Sequence, residues 1–186
     1  MTTHPEEAAS RPGVWQFDPY HTQVEFAARH LGMMTVRGLF TDVSATGTIY
    51  PDNPTASAVE VTIQTKSIKT HNDARDNDLR SSNFLEADTY PTMTFKSTKI
   101  ETSGQDRYTV TGDLTIKSVT KPVTLSVLKY GEFNDPHMGH RIAYSAEGQI
   151  NRKDFGMSFS AMLDGKWVVS DEIKIMIEGE FIEKQG

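Results

Sequence analysis

The alternation of apolar and polar residues along this chain breaks clearly at one stretch, Ser67-Ile-Lys-Thr-His-Asn-Asp-Ala-Arg-Asp-Asn-Asp-Leu-Arg-Ser-Ser-Asn-Phe-Leu-Glu86. Thr70 or Asn72 is suited to cap a short helix there, because its side-chain oxygen can accept a hydrogen bond from an unpaired backbone N–H. Asp73 and Asp76 follow in the first turn, where the helix dipole favours negative charge. The stretch therefore predicts a short helical lid over one end of a β-structure. The apolar residues expected to face inward from this lid are Leu79, Phe84 and Leu85.

Strand-like alternation fills most of the chain on both sides of this stretch. The clearest case is Ala58 to Ser67, where Val59, Val61 and Ile63 face one way and polar residues face the other. About eight or more segments of this kind, each with one apolar face, are typical of a two-sheet sandwich or a barrel. Long strands and a strong apolar face on the final segment, Glu172 to Glu183, favour the barrel. The predicted fold is therefore all-β, an antiparallel barrel of about eight strands with a short helical lid.

The domain organisation follows from length and from the absence of linkers. The chain has 186 residues, enough for one domain with a sizeable core, and no Ser-, Gly- or Pro-rich linker divides it. Residues 1–13 are polar and predict a flexible N-terminal lead, so residues 14–186 form the predicted barrel domain. Within this domain, Glu132 to His140 is polar and predicts a loop, and Phe155 to Leu163 predicts a strand with an irregular start.

Composition and charge argue against several classes of function. The formal net charge is −6, which disfavours nucleic acid as a main partner because phosphate binding needs a basic surface. There is no cysteine, so disulfides, thiolate catalysis and cysteine-ligated metals are excluded. No apolar run is long enough to span a bilayer, and the polar N-terminus lacks the features of a signal peptide. We therefore expect a cytoplasmic protein without a transmembrane segment.

Motifs for catalysis and metal binding are weak. His137 and His140 lie in a polar segment without an evident third metal ligand. The tripeptide Asp154-Phe-Gly156 matches a kinase motif, but the glycine-rich loop and the catalytic loop of kinases are missing. No set of nucleophile, base and orienting group stands out. We therefore expect neither a cofactor nor a metal.

A resemblance to a known family adds what alternation cannot supply. The matching segments cover nearly the whole chain after residue 14, and they are Trp15-Gln-Phe-Asp-Pro-Tyr-His-Thr-Gln-Val-Glu-Phe26, Arg29-His-Leu31, Val36-Arg-Gly-Leu-Phe-Thr-Asp42, Ser67-Ile-Lys-Thr70, Arg75-Asp76, Leu79-Arg-Ser-Ser-Asn-Phe84, Tyr90-Pro-Thr-Met-Thr-Phe95, Gly112-Asp-Leu-Thr-Ile116, Thr120-Lys-Pro-Val-Thr-Leu125 and Asn151-Arg-Lys-Asp-Phe-Gly-Met157. In these segments the chain resembles the YceI-like family of polyisoprenoid-binding, lipocalin-like proteins. The resemblance implies a lipocalin-like antiparallel barrel that encloses an apolar tunnel.

The ligand that the resemblance implies is a long isoprenoid, with a phosphate or quinone head, or another long-chain lipid. Taken singly, inward-facing apolar residues fit a filled core better than a tunnel, because most such residues are core. The resemblance supports the set as a whole. The candidate lining residues are Phe26, Phe40, Val61, Ile63, Leu79, Phe84, Phe95, Leu114, Ile116, Tyr144, Phe155 and Met157.

Two arginines are the candidates for binding a lipid head group. Arg75 and Arg152 each carry a guanidinium group, which can bind a phosphate through two parallel hydrogen bonds. The alternative for each arginine is a structural ion pair, with Asp76 or with Asp154. The sequence leaves both readings open.

The predicted function is a non-enzymatic carrier or sequestering protein for a long-chain isoprenoid or a similar amphipathic lipid. One alternative is an enzyme that acts on such a lipid, with Asp76 or Asp154 as its base. A second alternative is a stress-response or interaction module with a filled barrel. The apolar stripe of the last strand, formed by Ile173, Ile175 and Ile177, would also support a homodimer.

Overall fold

The structure, a computed structural model, describes residues 13–184. The flexible lead predicted for residues 1–13 therefore lies, apart from Gly13, outside the described residues. Gly13 itself begins the first strand. Over the described range, no helix combines the length and the apolar composition that crossing a membrane requires.

The described residues fold mainly into β-strands. In chain order the strands are β1 (Gly13–Phe17), β2 (Gln23–His30), β3 (Met34–Phe40), β4 (Val43–Ile49), β5 (Ala58–Gln64), β6 (Ile68–Lys69), β7 (Thr92–Gly104), β8 (Arg107–Ile116), β9 (Val119–Asp135), β10 (Gly139–Asn151), β11 (Met162–Leu163), β12 (Lys166–Trp167) and β13 (Glu172–Glu183). The α-helix α1 (Asp73–Arg80) lies between β6 and β7, and short 3₁₀ helices occupy Pro54–Ala56, Thr65–Ser67 and Arg152–Phe155.

The strands close into an antiparallel barrel. Around the ring, neighbouring strands are β1, β4, β5, β7, β8, β9, β10 and β13, and β13 then pairs with β1. The second half of β13 pairs with β1, while its first half pairs with β2. β1 and β2 thus form one bent strand, interrupted at Pro19, which has no N–H to contribute to a β-ladder. The predicted antiparallel barrel of about eight strands is confirmed.

The helix α1 begins close to the position that the sequence predicts. Asn72 caps it, because the Asn72 side chain accepts a hydrogen bond from the Arg75 backbone N–H at 2.9 Å. Asp76 is 1% exposed and accepts hydrogen bonds from the Thr70 backbone N–H at 2.8 Å and from the Thr70 hydroxyl at 2.6 Å. These bonds join the helix to Thr70, the residue that follows β6. The short helix is confirmed, and we call the end of the barrel that it covers the lid end.

The polar segment 132–140 differs from the loop that the sequence predicts. β9 runs on to Asp135 and β10 starts at Gly139, so most of the segment is a β-hairpin. Residues 131–134 are exposed. Because both faces of this end of β9 are exposed, the apolar–polar alternation that marks a half-buried strand is absent there.

The segment from Phe155 to Leu163 is not the predicted strand. Residues 152–155 form a 3₁₀ helix, and strand pairing resumes at Met162. The Asn151 side chain accepts a hydrogen bond from the Lys153 backbone N–H at 3.0 Å, and Gly156 ends the helix with a φ of 77°. These are turn signals, which the neighbouring apolar residues masked in the sequence.

Candidate functional site

A cavity of about 310 Å³ occupies the interior of the barrel. Every strand of the ring contributes residues to its lining, because alternation turns one side chain in two toward the barrel axis. Among the described residues that line it, Glu25 and Arg152 carry charge and nearly all the others are apolar. The barrel therefore encloses a space with an apolar wall.

The structure brings twelve of the fourteen predicted site residues together around this cavity. Ten of them lie on eight different strands and helices, and Phe84 and Met157 lie in connecting segments, so folding assembles a wall that no local stretch of sequence contains. Their role in binding a ligand remains a prediction. The twelve residues are Phe26, Phe40, Val61, Ile63, Leu79, Phe84, Phe95, Leu114, Ile116, Tyr144, Arg152 and Met157.

Phe155 and Arg75 lie outside the lining. Phe155 is 2% exposed and packs in the core cluster at the lid end instead. Arg75 donates from Nε to the Thr70 hydroxyl and from Nη2 to the Thr70 carbonyl, both at 2.7 Å. Arg75 therefore braces the segment before α1, together with Asp76, which accepts from the same threonine.

The sequence analysis missed several lining residues on β13. Ile173, Ile175 and Ile177 line the cavity, whereas the sequence predicts that their stripe supports a homodimer. Because these side chains face inward, the stripe no longer supports that prediction. The apolar face of β13 is visible in the alternation, but alternation alone does not say whether that face points into the barrel or outward.

The two ends of the cavity differ in how well they are closed. At the lid end, Ile68, Phe84 and Met157 are each less than 10% exposed. At the opposite end, the lining includes Ile100, which is half-buried, and Ala58, which is exposed. We call this second end the open end, because the barrel rim there leaves part of the lining accessible.

Two tyrosines give the cavity wall uncharged polar groups. Tyr108 on β8 and Tyr144 on β10 both line the cavity. Burial raises the pKa of Tyr144, and the nearby Tyr108 and Glu132 raise it further. The Tyr144 hydroxyl therefore stays neutral at physiological pH and can donate or accept a hydrogen bond.

Arg152 is buried, with 2% exposure, and it is held by groups of the protein itself. Its Nη1 donates to the carbonyls of Met157 at 2.6 Å and Phe159 at 2.7 Å, and its Nε donates to the Ser170 carbonyl at 3.0 Å. Its Nη2 forms an ion pair with Asp171 at 3.0 Å, and not with Asp154 as the sequence suggested. Four of the five N–H donors are thus engaged, which leaves little capacity for a phosphate.

A second polar cluster lies where β1 bends into β2. Asp18, His21 and Glu180 place possible metal-ligand atoms within 4.8 Å of one another. Arg141 already occupies the space between the two carboxylates, because its Nη1 donates to Asp18 at 2.5 Å and to Glu180 at 2.9 Å. His21 also contacts Asp18, at 2.8 Å. The cluster therefore reads as an ion-pair network that fixes the bend.

We expect the protein to lose stability in acid, because protonation of the Asp18 carboxylate weakens this network. Burial on its own would raise the pKa of Asp18, but hydrogen bonds from Arg141, His21 and the Tyr20 amide lower the pKa from 3.8 to about 2. A carboxyl group with a lower pKa in the folded state stabilises the fold above its unfolded pKa. The contribution is lost as the pH falls from about 4 to about 2, and we expect it to be on the order of 2 kcal/mol.

Urea unfolding of the wild type and of Asp18→Asn, repeated across this pH range, measures the effect. The wild type should lose more unfolding free energy than the variant between pH 4 and pH 2, because asparagine does not titrate there. A loss of equal size in both proteins would contradict the assignment to Asp18.

Comparison with known proteins agrees with this architecture. The family model described as YceI-like domain matches residues 15–181. Protein YceI of Shigella flexneri is 39% identical over 165 residues, which cover 89% of this chain and 83% of that protein. The crystal structure of the Campylobacter jejuni YCEI protein superposes with a TM-score of 0.73 at 32% identity, over 85% of this chain and 90% of that one.

A more distant structure shares the fold alone. It is a polyisoprenoid binding domain from Saccharophagus degradans, with a TM-score of 0.64 at 14% identity, over 91% of this chain and 98% of that one. The fold, the extent of the family match and the identity to curated relatives all agree. The chain therefore belongs to the YceI-like family.

Proposed function

We propose that the barrel binds a long-chain isoprenoid or a similar amphipathic lipid, and that it carries or sequesters this lipid without catalysis. The observation that carries the proposal is the cavity of about 310 Å³ with an almost wholly apolar lining. A hydrocarbon chain gains about 0.8 kcal/mol for each CH₂ group that it buries in such a space. Water molecules are poorly stabilised in this space, because few polar groups are available to hydrogen-bond with them.

The polar groups of the cavity favour an uncharged head group inside the barrel. Arg152 has most of its donors engaged, so a buried phosphate would lack compensation for its lost hydration. Tyr108 and Tyr144 offer neutral hydroxyls, which suit a quinone carbonyl or a similar acceptor. A lipid phosphate would then remain at the open end, where water reaches it.

The positions of the candidate bases support a role without catalysis. Asp76 accepts two hydrogen bonds from Thr70 and is outside the cavity lining. Asp154 is exposed and is also outside the lining. Neither carboxylate is placed to take a proton from a ligand in the cavity, and this favours a carrier over the lipid-modifying enzyme.

Likeness to the Saccharophagus degradans domain points in the same direction. That protein is described as a polyisoprenoid binding domain. At 14% identity the likeness extends to the fold, so the ligand class of this chain rests on its own cavity. The cytoplasmic location remains a prediction, which cell fractionation would test. The homodimer has lost the support of the β13 stripe, and sedimentation analysis would test it.

Native mass spectrometry of the freshly purified protein, followed by solvent extraction and lipid identification, tests the proposal. We expect one apolar lipid per chain, and its head group would decide between the quinone-like and the phosphate-bearing classes. A clean ligand-free mass that does not change on incubation with polyprenyl phosphates or isoprenoid quinones would refute the proposal. It would favour the interaction module with a filled barrel.

A further inference from the structure

Exposed apolar side chains gather at one place on the molecule. Eleven large apolar side chains in the described part of the chain are exposed, and six of them lie on the β2–β3 turn and on residues 159–167. We call these six residues the tip patch. They are Met33, Met34, Phe159, Met162, Leu163 and Trp167, with exposures from 38% to 65%.

The two segments that carry the tip patch form one continuous surface. The Leu31 backbone N–H donates to the Val168 carbonyl at 3.3 Å, and the His30 ring nitrogen contacts the same carbonyl at 2.9 Å. The Lys166 ammonium lies 3.6 Å from the Met33 sulfur. The β11–β12 hairpin then pairs Met162 with Trp167. The β2–β3 turn and the hairpin are therefore held side by side.

The tip patch adjoins the lid end of the cavity. The Phe159 ring lies 5.5 Å from the Phe84 ring, edge to face, and Phe84 lines the cavity. Val169, two residues after Trp167, also lines it. A surface that covered the tip patch would thus touch the segment that closes this end of the barrel.

Charge around the tip patch differs in sign from the charge of the chain as a whole. Residues 29–37 and 152–171 together carry five Arg and Lys residues against three Asp residues, whereas the whole chain has a net charge of −6. Lys153 lies 5.8 Å from the centre of the Trp167 ring, and Lys166 is exposed between Leu163 and Trp167. Tryptophan and other apolar residues flanked by lysine are characteristic of protein segments that rest in a membrane interface.

We propose that the tip patch docks onto the surface of a phospholipid bilayer. The apolar side chains enter the interface while Arg29, Lys153 and Lys166 stay among the head groups, where anionic lipids attract them. Docking of this kind orients the acidic remainder of the barrel away from the bilayer. It needs no ligand in the cavity, so it stands apart from the proposed lipid binding.

Tryptophan fluorescence can test membrane docking, because the two tryptophans of the chain differ in exposure. Trp15 is 1% exposed and Trp167 is 55% exposed, so a change of emission on adding vesicles reports Trp167. With vesicles of phosphatidylcholine and phosphatidylglycerol, we expect a blue shift and quenching by brominated acyl chains. Both changes should disappear in Trp167→Phe, which retains Trp15 as an internal reference.

A pair of matched variants locates the contact. Met33→Ser/Leu163→Ser keeps Trp167 as the probe and should weaken partitioning onto these vesicles roughly tenfold or more, because two exposed apolar anchors are lost. Phe133→Ser/Met138→Ser removes exposed apolar residues of the β9–β10 hairpin and should leave partitioning unchanged. Far-ultraviolet circular dichroism checks that each variant is folded.

Three results would overturn the proposal. The first is no partitioning of the wild-type protein, which would leave another protein as the occupant of the tip patch. The second is an equal loss in both double variants. The third is binding that salt abolishes and that Met33→Ser/Leu163→Ser does not alter, since this would be general electrostatic adhesion. Lipid bound in the cavity is measured separately by extraction, so the proposed carrier function is tested independently of membrane docking.

Discussion

Arg152→Met is expected to lower the free energy of unfolding by about 3 to 5 kcal/mol, because it removes the hydrogen bonds of a buried guanidinium group and leaves buried acceptors without a donor. The carbonyls of Met157, Phe159 and Ser170 would each lose a hydrogen-bond donor. Methionine fills a similar volume, so the loss of unfolding free energy reflects the missing hydrogen bonds and charge more than a change in packing. Natural domains have total stabilities of about 5 to 15 kcal/mol, so the variant should be markedly weakened.

Lys153→Met is the matched control for this substitution. Lys153 pairs with the same Asp171, at 2.9 Å, but its side chain is 43% exposed. A surface ion pair of this kind contributes about 1 kcal/mol or less. Urea unfolding of both variants should therefore separate them clearly. Near wild-type stability of Arg152→Met, together with loss of a co-purifying lipid, would instead make Arg152 a head-group ligand.

The partners of Arg152 show what the sequence could not supply. The sequence predicts Arg152 to be either a phosphate ligand or one half of an ion pair. Its true partners are mainly backbone carbonyls between residues 157 and 170, which every residue carries and which therefore leave no trace in sequence. Its acidic partner is Asp171, which is distant in sequence. Asp154, which the sequence suggests, is close to Arg152 in sequence but does not pair with it.

The fold was more accessible from sequence than the site, for a physical reason. A strand with one buried face must alternate, so segments such as Ala58–Gln64 are visible as soon as the residues are read. The lining set that the resemblance supports includes Val61, Phe95 and Leu114, and these three residues do meet around one cavity. Alternation gave no signal at the end of β9, residues 131–134, because both faces of the strand are exposed there.

Neither closure of the barrel nor space within it is a local property of the sequence. The pairing of β13 with both β1 and β2 depends on where the bent strand breaks, at Pro19. Phe155 and Met157 look alike in sequence, but Met157 lines the cavity and Phe155 packs beside it. The difference is set by the 3₁₀ helix and by Gly156, which redirect the backbone between them.

Ala146→Trp is expected to remove most of the bound lipid while the barrel stays folded. Ala146 lies on β10 and lines the cavity, opposite Ile177 on β13 and Val127 on β9, which also line it. An indole group at this position would occupy the space that the hydrocarbon chain is proposed to fill. Native mass spectrometry of the purified variant, compared with the wild type, measures the fraction of chains that retain lipid.

The unfolding free energy of Ala146→Trp distinguishes a barrel with an open cavity from a barrel with a filled core. Forcing a large side chain into a packed interior costs about 1 to 3 kcal/mol, whereas an open apolar cavity accepts it with little cost or a gain from new burial. We therefore expect an unfolding free energy close to that of the wild type or higher. Ala146 lines the cavity of about 310 Å³, so the indole group has adjoining apolar space to enter.

Ala143→Trp provides the control on the same strand. Ala143 is three residues away, so alternation turns its side chain to the outer face of β10, and it is outside the cavity lining. This variant should keep its lipid and its stability. If both variants lost lipid equally, the effect would come from a general disturbance of β10. If Ala146→Trp kept its lipid at full stoichiometry, the ligand would have to bind somewhere other than this cavity, because the two groups cannot share one volume.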